Sequence, residues 1–196
     1  MDIYGRNISI GDYPTIVASP DNYVHLTTWN LEGNEGEISI GKYCLLTPGV
    51  RIASASKITI GDGCMFANSA YVSDADWHGI YDRATPVGKT SPITLEENVW
   101  IGDRAVVGKG VKIGKNSIVA AGSVVVKDVP ENVIVGGNPS KIIKELNPEI
   151  DGNTRIKLFE NPEGLKDLYD QIDQYTLKNN TTLNYLKSIF YRNKTH

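Results

Sequence analysis

The segment LEENVWIGDRAVVGKGVKIGKNSIVAAGSVV, residues 95–125, decides the fold of this chain because an apolar residue returns at every sixth position. The series consists of Leu95, Ile101, Val107, Ile113, Val119 and Val125. An amphipathic helix repeats at about 3.6 residues and a half-buried strand at about 2, so neither element alone explains an interval of six. A coil of short strands explains it, with each repeat forming one side of a parallel β-helix.

The same interval continues toward the N-terminus in two shorter series, Ile40, Leu46, Ile52 and Ile60, Phe66, Val72. Three repeats make a turn of about eighteen residues, in which the first residue of each repeat points inward and stacks on its equivalent one turn away. A smaller inward position follows four residues later and includes Cys44 and Cys64. We expect two buried thiols that fill space there, with a disulfide as the alternative.

The sequence pattern divides the chain into three regions. Residues 1–37 follow the interval poorly and predict an irregular N-terminal partial coil, whereas residues 38–145 predict a regular one. Residues 146–196 predict a helical tail, because Leu165, Leu168, Tyr169 and Ile172 have helical spacing and a second apolar run begins at Leu183, after Thr181 or Thr182 as a cap. The tail either covers the open end of the coil or shapes an acceptor site.

Composition excludes some classes of function. The net charge of −3 argues against broad nucleic-acid binding. No apolar stretch approaches the roughly 20 residues that a membrane span needs, and no secretory segment is evident. We therefore expect a protein without a membrane span, located in the cytoplasm.

One long excursion, residues 74–92, interrupts the coil where the next inward apolar residue is due. Counting six positions from Val72 leads to His78, which is followed by a loop and stands near Asp74 and Asp76. Function concentrates in long excursions from rigid scaffolds. A histidine oriented by a carboxylate suits a general base, and Asp76 and Asp74 are both spaced to share its face. The alternative is a loop histidine bonded to a local carbonyl, and the sequence does not decide which carboxylate pairs with it.

A basic stripe and an outward indole mark a second region of interest. Lys109 and Lys127 lie eighteen positions apart and stack on one corner of adjacent turns, and Lys141 and Lys144 follow the last turn. Such lysines either bind phosphates or keep an exposed β-surface soluble and prevent it from pairing with the strands of another molecule. Trp100 precedes an inward position and therefore faces outward, where a large indole indicates a ligand or partner.

Several sequence blocks now carry a family resemblance: NVWIG (98–102), GVKIG (110–114), AGSV (121–124), KDVP (127–130) and GGNPSK (136–141). Over residues 38–145 the chain resembles the hexapeptide-repeat acyltransferases, in the branch of galactoside, maltose and xenobiotic acetyltransferases and polysaccharide O-acetyltransferases. The resemblance implies an all-β fold, a left-handed parallel β-helix, followed here by a C-terminal helical extension.

The resemblance also implies a site and a reaction. His78 matches the catalytic base, and from its spacing we add Asp76 as the candidate carboxylate beside it. Trp100 would line the coenzyme A channel, Asp103 and Ala121 would offer backbone groups to the pantetheine arm, and the basic side chains near the phosphates would be Lys127, Lys141 and Lys144. Family members are homotrimers with active sites between subunits. The co-substrate would be acetyl-CoA, with no metal.

Departures from the family concern the acceptor. Galactoside and maltose enzymes bind the sugar through a pair of acidic or amide side chains, and those positions hold Thr47 and Ala55 here. The His-Pro dipeptide usual in the family is His78-Gly79 in this chain. We therefore expect an O-acetyltransferase acting on a sugar of a surface polysaccharide or its precursor. The alternative is an antibiotic O-acetyltransferase of the xenobiotic type.

Two other classes share this fold. A zinc-dependent lyase needs three protein ligands, which a single central histidine does not supply. A non-catalytic scaffold needs neither a histidine-bearing excursion nor lysines at the coenzyme end.

Overall fold

The computed structural model describes residues 1–31, 33–150 and 154–191, apart from the side chains of Ser188, Phe190 and Tyr191. Its strands are β1 (Asp2–Tyr4), β2 (Ile8–Ile10), β3 (Thr15–Ile16), β4 (His25–Thr28), β5 (Asn30–Leu31), β6 (Asn34–Glu35), β7 (Glu37–Ile40), β8 (Leu45–Leu46), β9 (Arg51–Ser54), β10 (Lys57–Ile60), β11 (Met65–Phe66), β12 (Tyr71–Ser73), β13 (Ile93–Leu95), β14 (Trp100–Ile101), β15 (Val106–Val107), β16 (Lys112–Ile113), β17 (Ile118–Val119), β18 (Val124–Val125), β19 (Val133–Gly136) and β20 (Lys141–Glu145). A 3-10 helix (Arg155–Phe159) and the helices α1 (Pro162–Leu177) and α2 (Thr182–Tyr191) follow.

The strands form a three-sided coil. Sheet A contains β1, β4, β9, β12, β15 and β18; sheet B contains β2, β7, β10, β13 and β16; and sheet C contains β3, β8, β11, β14, β17, β19 and β20. From β1 to β18, apart from the small β5–β6 hairpin, successive strands fall in sheets A, B and C in turn, and β19 and β20 both belong to sheet C. Neighbours within each sheet are parallel, except for antiparallel β19 and β20.

The register confirms the inward stacking that the six-residue interval predicts. Leu95 pairs with Ile60 and Ile113, Ile101 with Phe66 and Val119, and Val107 with Val72 and Val125. All of these side chains are buried in one continuous core. The stacked inward side chains form columns along the coil. Burial of each large apolar side chain stabilises the fold by about 1.5–3 kcal/mol, and this contribution is repeated from turn to turn.

Both cysteines are buried free thiols, as the sequence predicts. The Cys64 Sγ donates to the Glu96 carbonyl oxygen at 3.1 Å, and the Cys44 Sγ donates to the Gly61 carbonyl oxygen at 3.3 Å. The hydrogen bond with Cys44, together with burial, raises the pKa of the Cys64 thiol well above its ordinary value. Cys64 is therefore held protonated inside the coil.

The N-terminal residues form strands of the same coil. Ile8 and Ile10 on β2 pair with Ile38 and Ile40 on β7, and Leu26 on β4 pairs with Ile52 on β9. These pairings continue the inward columns of sheets A and B toward the N-terminus.

An asparagine ladder stabilises one corner of the coil. Asn98, Asn116 and Asn132 have φ angles of 55°, 58° and 55°, a left-handed conformation that asparagine tolerates better than most residues. The Asn98 side-chain amide donates to Asn116 Oδ1 at 3.1 Å, and the Asn116 amide donates to Asn132 Oδ1 at 3.0 Å. The ladder thus joins three successive turns along sheet C.

The chain divides into two compact units, Met1–Ile156 and Lys157–His196. The second unit contains the two helices that its apolar spacing predicts. Asn161 caps α1 by accepting from the Gly164 amide at 3.0 Å, and Thr181 Oγ1 accepts from the Asn184 amide of α2 at 3.2 Å. Within the described part of the chain, no helix combines the length and the apolar character needed to cross a membrane.

Candidate active site

The excursion leaves the coil after β12 and returns at β13, and Asp74 anchors its root. Asp74 is fully buried, and its carboxylate accepts hydrogen bonds from the Ser54 hydroxyl at 2.6 Å and from the amides of Ala55 and Ser56 at 2.8 and 3.0 Å. These donors belong to the preceding corner of the coil. A buried carboxylate is tolerated when it is hydrogen-bonded in this way, so Asp74 has a structural role.

A short antiparallel neck carries the rest of the excursion. The Asp76 amide donates to the Lys89 carbonyl oxygen at 2.9 Å, and the Gly88 amide donates to the Asp76 carbonyl oxygen at 2.7 Å. A Cβ added at Gly88 would lie 2.4 Å from the carbonyl oxygen of His78. Only glycine therefore allows the returning strand to pass this close to the backbone of His78.

Asp76 forms an ion pair with Lys109, which lies on the following turn. Lys109 Nζ is 2.5 Å from Asp76 Oδ1, and the two side chains are 33% and 29% exposed. The second carboxylate oxygen of Asp76 is buried without a hydrogen-bond partner among the described residues. The ion pair ties the neck to the corner between β15 and β16.

The side chain of His78 is exposed at the junction of the neck and the tip of the excursion. Beyond it, the Gly79 amide donates to the Thr85 carbonyl oxygen at 3.3 Å, and the Thr85 hydroxyl donates to Asp82 Oδ2 at 3.0 Å. Within the described ranges, neither Asp74 nor Asp76 has a hydrogen bond to the imidazole of His78. The role of Asp76 in orienting His78 therefore stays a prediction.

Trp100 faces outward from β14 and is 43% exposed, as its position before Ile101 predicts. It lines a hollow of about 500 Å³ on sheet C, together with the asparagine ladder, Met65 and Leu146. This surface combines an aromatic wall with amide groups, so it suits a ligand that has both apolar and polar parts.

The other predicted coenzyme residues lie at separate places on the coil. Asp103 and Ala121 occupy equivalent positions at the corner between sheets C and A, because Ile101 and Val119 are in register. The Asp103 carbonyl oxygen accepts from the Gly122 amide at 2.7 Å. Lys127 follows β18 at the corner between sheets A and B, where Lys109 follows β15 one turn earlier.

Lys141 and Lys144 lie on β20 at the edge of sheet C. Lys127, Lys141 and Lys144 are exposed, and none of them forms a salt bridge with another described residue. The structure therefore groups Asp76, His78, Lys109 and Lys127 at one side of the coil, and distributes the other predicted site residues over sheet C and its corner with sheet A.

A cluster of aromatic side chains on sheet A was not among the predicted site residues. Trp77 Nε1 donates to the Tyr71 hydroxyl at 3.0 Å, and the rings of Trp77 and Trp29 lie 5.7 Å apart. The sequence contains one indication of this cluster. Trp29 and Tyr71 each stand next to an inward-facing residue and are therefore expected to face outward.

Charged groups elsewhere on the coil form structural pairs. Lys112 Nζ lies 2.7 Å from Glu96 Oε1 on sheet B, and the hydrogen bonds from Lys112 and from the Lys115 amide lower the pKa of Glu96. Among the residues that the structure describes, no group of three or more His, Cys, Asp or Glu side chains is placed to hold a metal ion.

Comparisons with known proteins agree with this architecture. Residues 92–127 match the family described as bacterial transferase hexapeptide (six repeats). The hexapeptide-repeat containing acetyltransferase VCA0836 of Vibrio cholerae has a TM-score of 0.58 and 31% identity, over 70% of this chain and 73% of that chain. A structure of VCA0836 complexed with acetyl coenzyme A gives a TM-score of 0.55 and 29% identity, over 71% of both chains.

Two relatives extend the comparison. The galactoside O-acetyltransferase of Escherichia coli (strain K12) is 37% identical over 112 residues, which are 56% of this chain and 55% of that protein. WbbJ of the same strain, whose name proposes an O-acetyl transferase in lipopolysaccharide biosynthesis, is 32% identical over 51% of this chain and 56% of that protein. The chain thus spans about half the length of each. The 31% identity to VCA0836 over 73% of that chain shows that this chain belongs to the hexapeptide-repeat acetyltransferases.

Proposed function

We propose that this chain is an acetyl-CoA-dependent O-acetyltransferase that moves an acetyl group to a hydroxyl of a sugar in a surface polysaccharide or its precursor. The observation that carries the proposal is the excursion 74–92, which presents an exposed His78 from a neck anchored by Asp74. The acetyl coenzyme A bound by VCA0836 supports the choice of donor, and the names of the two Escherichia coli relatives support the choice of acceptor. The cytoplasmic location stays a prediction.

The reaction is a direct transfer. The neutral imidazole of His78 takes the proton of the acceptor hydroxyl, and the oxygen attacks the thioester carbonyl carbon. A backbone N–H stabilises the oxyanion of the tetrahedral intermediate. The carbon–sulfur bond then breaks, and the coenzyme A thiolate takes the proton from the imidazolium. The products are the acetyl ester and coenzyme A.

A covalent acetyl-enzyme is not part of this mechanism. Cys44 and Cys64 are both fully buried inside the coil, away from any ligand on its surface. The raised pKa of Cys64 also keeps that thiol protonated, and a protonated thiol is a poor nucleophile because the thiolate is the reactive form.

The donor would bind between two coils of a homotrimer. Trp100 would line the channel, Asp103 and Ala121 would meet the pantetheine arm through their backbone groups, and the phosphates would be held by Lys127, Lys141 and Lys144. These residues occupy different sides of a single coil, so one coil does not bring them all to one ligand. This arrangement supports a site that a neighbouring subunit completes. By the same family relationship we infer that the coil is left-handed.

The test of this function has two parts. At coenzyme A concentrations a hundred times its dissociation constant, binding adds about 2.7 kcal/mol to stability, so the melting temperature should rise clearly. Release of the coenzyme A thiol should then depend on the acceptor, across a panel of sugars, nucleotide sugars and antibiotics. An unchanged melting temperature at millimolar coenzyme A would favour a non-catalytic scaffold, and turnover only with antibiotics would favour the xenobiotic type.

A further inference from the structure

The outer face of sheet A carries a hollow of about 250 Å³ with aromatic side chains around it. Trp29 is 41% exposed, and its ring lies 5.7 Å from that of Trp77 with an interplanar angle of 52°. The Tyr71 hydroxyl accepts the indole hydrogen bond of Trp77, and this bond links the wall of the hollow to the excursion. Exposed aromatic clusters of this kind indicate binding surfaces.

The strand register explains why a hollow forms there. Thr27, Ala53 and Ser73 are neighbours across β4, β9 and β12, and they form one outward row on sheet A. Ala53 in the middle of that row carries only a methyl group, whereas Trp29 and Trp77 carry large rings. Small side chains beside large ones leave a concave surface, and Ala53 is among the residues that line it.

Arg51 gives the hollow a cationic group. Its guanidinium lies 4.7 Å from the centre of the Tyr71 ring, a cation–π geometry. Its neighbour in register on β4 is His25, whose Nδ1 lies 3.5 Å from Asp2 Oδ2. Within the described ranges Arg51 has no carboxylate partner, so its N–H donors are available for the two oxygen atoms of a carboxylate or phosphate.

A second hollow of about 440 Å³ adjoins the first on the side of the excursion. The two share Tyr71 and Trp77, and the second also includes Ser73, Asp76 and Lys109. The next residue of the chain after Trp77 is His78. A ligand that extends from Trp29 past Trp77 would therefore reach Asp76 in the neck that carries the proposed base, whose own side chain lines neither hollow.

We propose that this pair of hollows is the acceptor subsite, and that it binds an acidic saccharide. A sugar ring would stack its C–H face on the indoles of Trp29 and Trp77, and Arg51 would bind a carboxylate or phosphate substituent. A pocket with aromatic walls and few polar groups suits such a ligand, because sugars combine an apolar ring face with a polar rim. This inference rests on the proposed function, since it supplies the acceptor for His78.

The test measures saccharide binding directly, without acetyl-CoA. The probes are galacturonic acid trimers, the matched galactose trimers and galactose 1-phosphate, followed by tryptophan fluorescence. Trp29→Ala should weaken binding of the acidic trimer by about tenfold, or about 1.4 kcal/mol, because the variant loses a stacked aromatic ring. Arg51→Gln should weaken binding of the acidic trimer and leave binding of the neutral trimer unchanged. Lys57→Ala, an exposed cation on sheet B, is the control.

Each outcome decides the inference. Preference for the galacturonate trimer identifies a carboxylate as the anionic group, and preference for galactose 1-phosphate identifies a phosphate. Equal binding of acidic and neutral trimers would overturn it, and so would unchanged binding by a folded Trp29→Ala variant. No binding of any probe at millimolar concentration would overturn it as well. Coenzyme A binding, measured separately by thermal shift, reports on the proposed function. A protein that binds coenzyme A but no saccharide would therefore contradict the acceptor subsite and leave the proposed function intact.

Discussion

Lys109 Nζ lies 2.5 Å from Asp76 Oδ1, and this ion pair joins the neck of the excursion to the next turn of the coil. Asp76 comes two residues before His78 in the chain, whereas Lys109 belongs to the rigid corner after β15. The pair therefore connects the position of the proposed base to the scaffold. From this connection we infer that Lys109 is a positioning residue, which would act through Asp76.

Breaking this ion pair should lower turnover more than it lowers stability. Lys109→Met and Asp76→Asn should each reduce kcat by about ten- to a hundredfold, because a small displacement of a catalytic group is costly, while KM for acetyl-CoA stays unchanged. The coupling energy in a double-mutant cycle of unfolding should be about 1 kcal/mol, since both side chains are partly exposed. A changed KM for acetyl-CoA with an unchanged kcat would instead place Lys109 in the donor site.

The asparagine ladder should make a measurable contribution to the stability of the coil. Asn116→Ala removes two side-chain hydrogen bonds and places alanine at a φ of 58°, so the free energy of unfolding should fall by about 2–3 kcal/mol. Asn116→Gly loses the same bonds but tolerates the backbone, so its loss should be about 1 kcal/mol. Chemical denaturation compares the two variants, and equal losses would contradict the backbone contribution.

The two thiols should react only when the protein unfolds. A thiol reagent should label neither cysteine of the native protein and both cysteines in denaturant, because both are fully buried and the pKa of Cys64 is raised. Replacing both cysteines by alanine should not abolish acetyl transfer, because the proposed direct transfer forms no acetyl-cysteine intermediate. A folded double variant without acetyl transfer would contradict that mechanism.

Active sites shared between subunits should recover activity when two inactive variants are mixed. On the proposed roles, His78→Ala would remove the base and Trp100→Ala a wall of the donor channel, so each variant alone should be nearly inactive. Random mixing during refolding should restore about a quarter of the sites, because a site needs one intact contribution from each of two neighbours. Mixed and unmixed samples that are equally inactive would contradict shared sites.

The sequence predicted the coil well because one physical constraint repeats along it. Each inward residue must stack on the same position of the next turn, so the spacing of Leu95, Ile101 and Val107 already determines which residues are in register. The outward direction of Trp100 and the shared corner of Lys109 and Lys127 follow from the same counting. The helical tail was predictable because its period changes from 6 to about 3.6 residues.

The contacts within the excursion were not predictable in this way. Asp74 and Asp76 have the same residue type and a similar spacing from His78, yet one binds the preceding turn and the other binds Lys109. No local pattern relates Asp76 to a lysine on the following turn, since the intervening loop has no periodicity. The hollow on sheet A depends likewise on Trp29 and Trp77, which only the folded coil and excursion bring together.

The most direct test of the central claim is the rate of acetyl transfer by the His78→Ala variant, with coenzyme A affinity measured on the same preparation. Loss of a positioned base should lower kcat by about 10²–10⁴-fold. The dissociation constant for coenzyme A should stay as in the unmodified protein, because the proposed role of His78 concerns the acceptor hydroxyl and not the coenzyme. A variant that binds coenzyme A and retains nearly full kcat would contradict the assignment of His78 as the base.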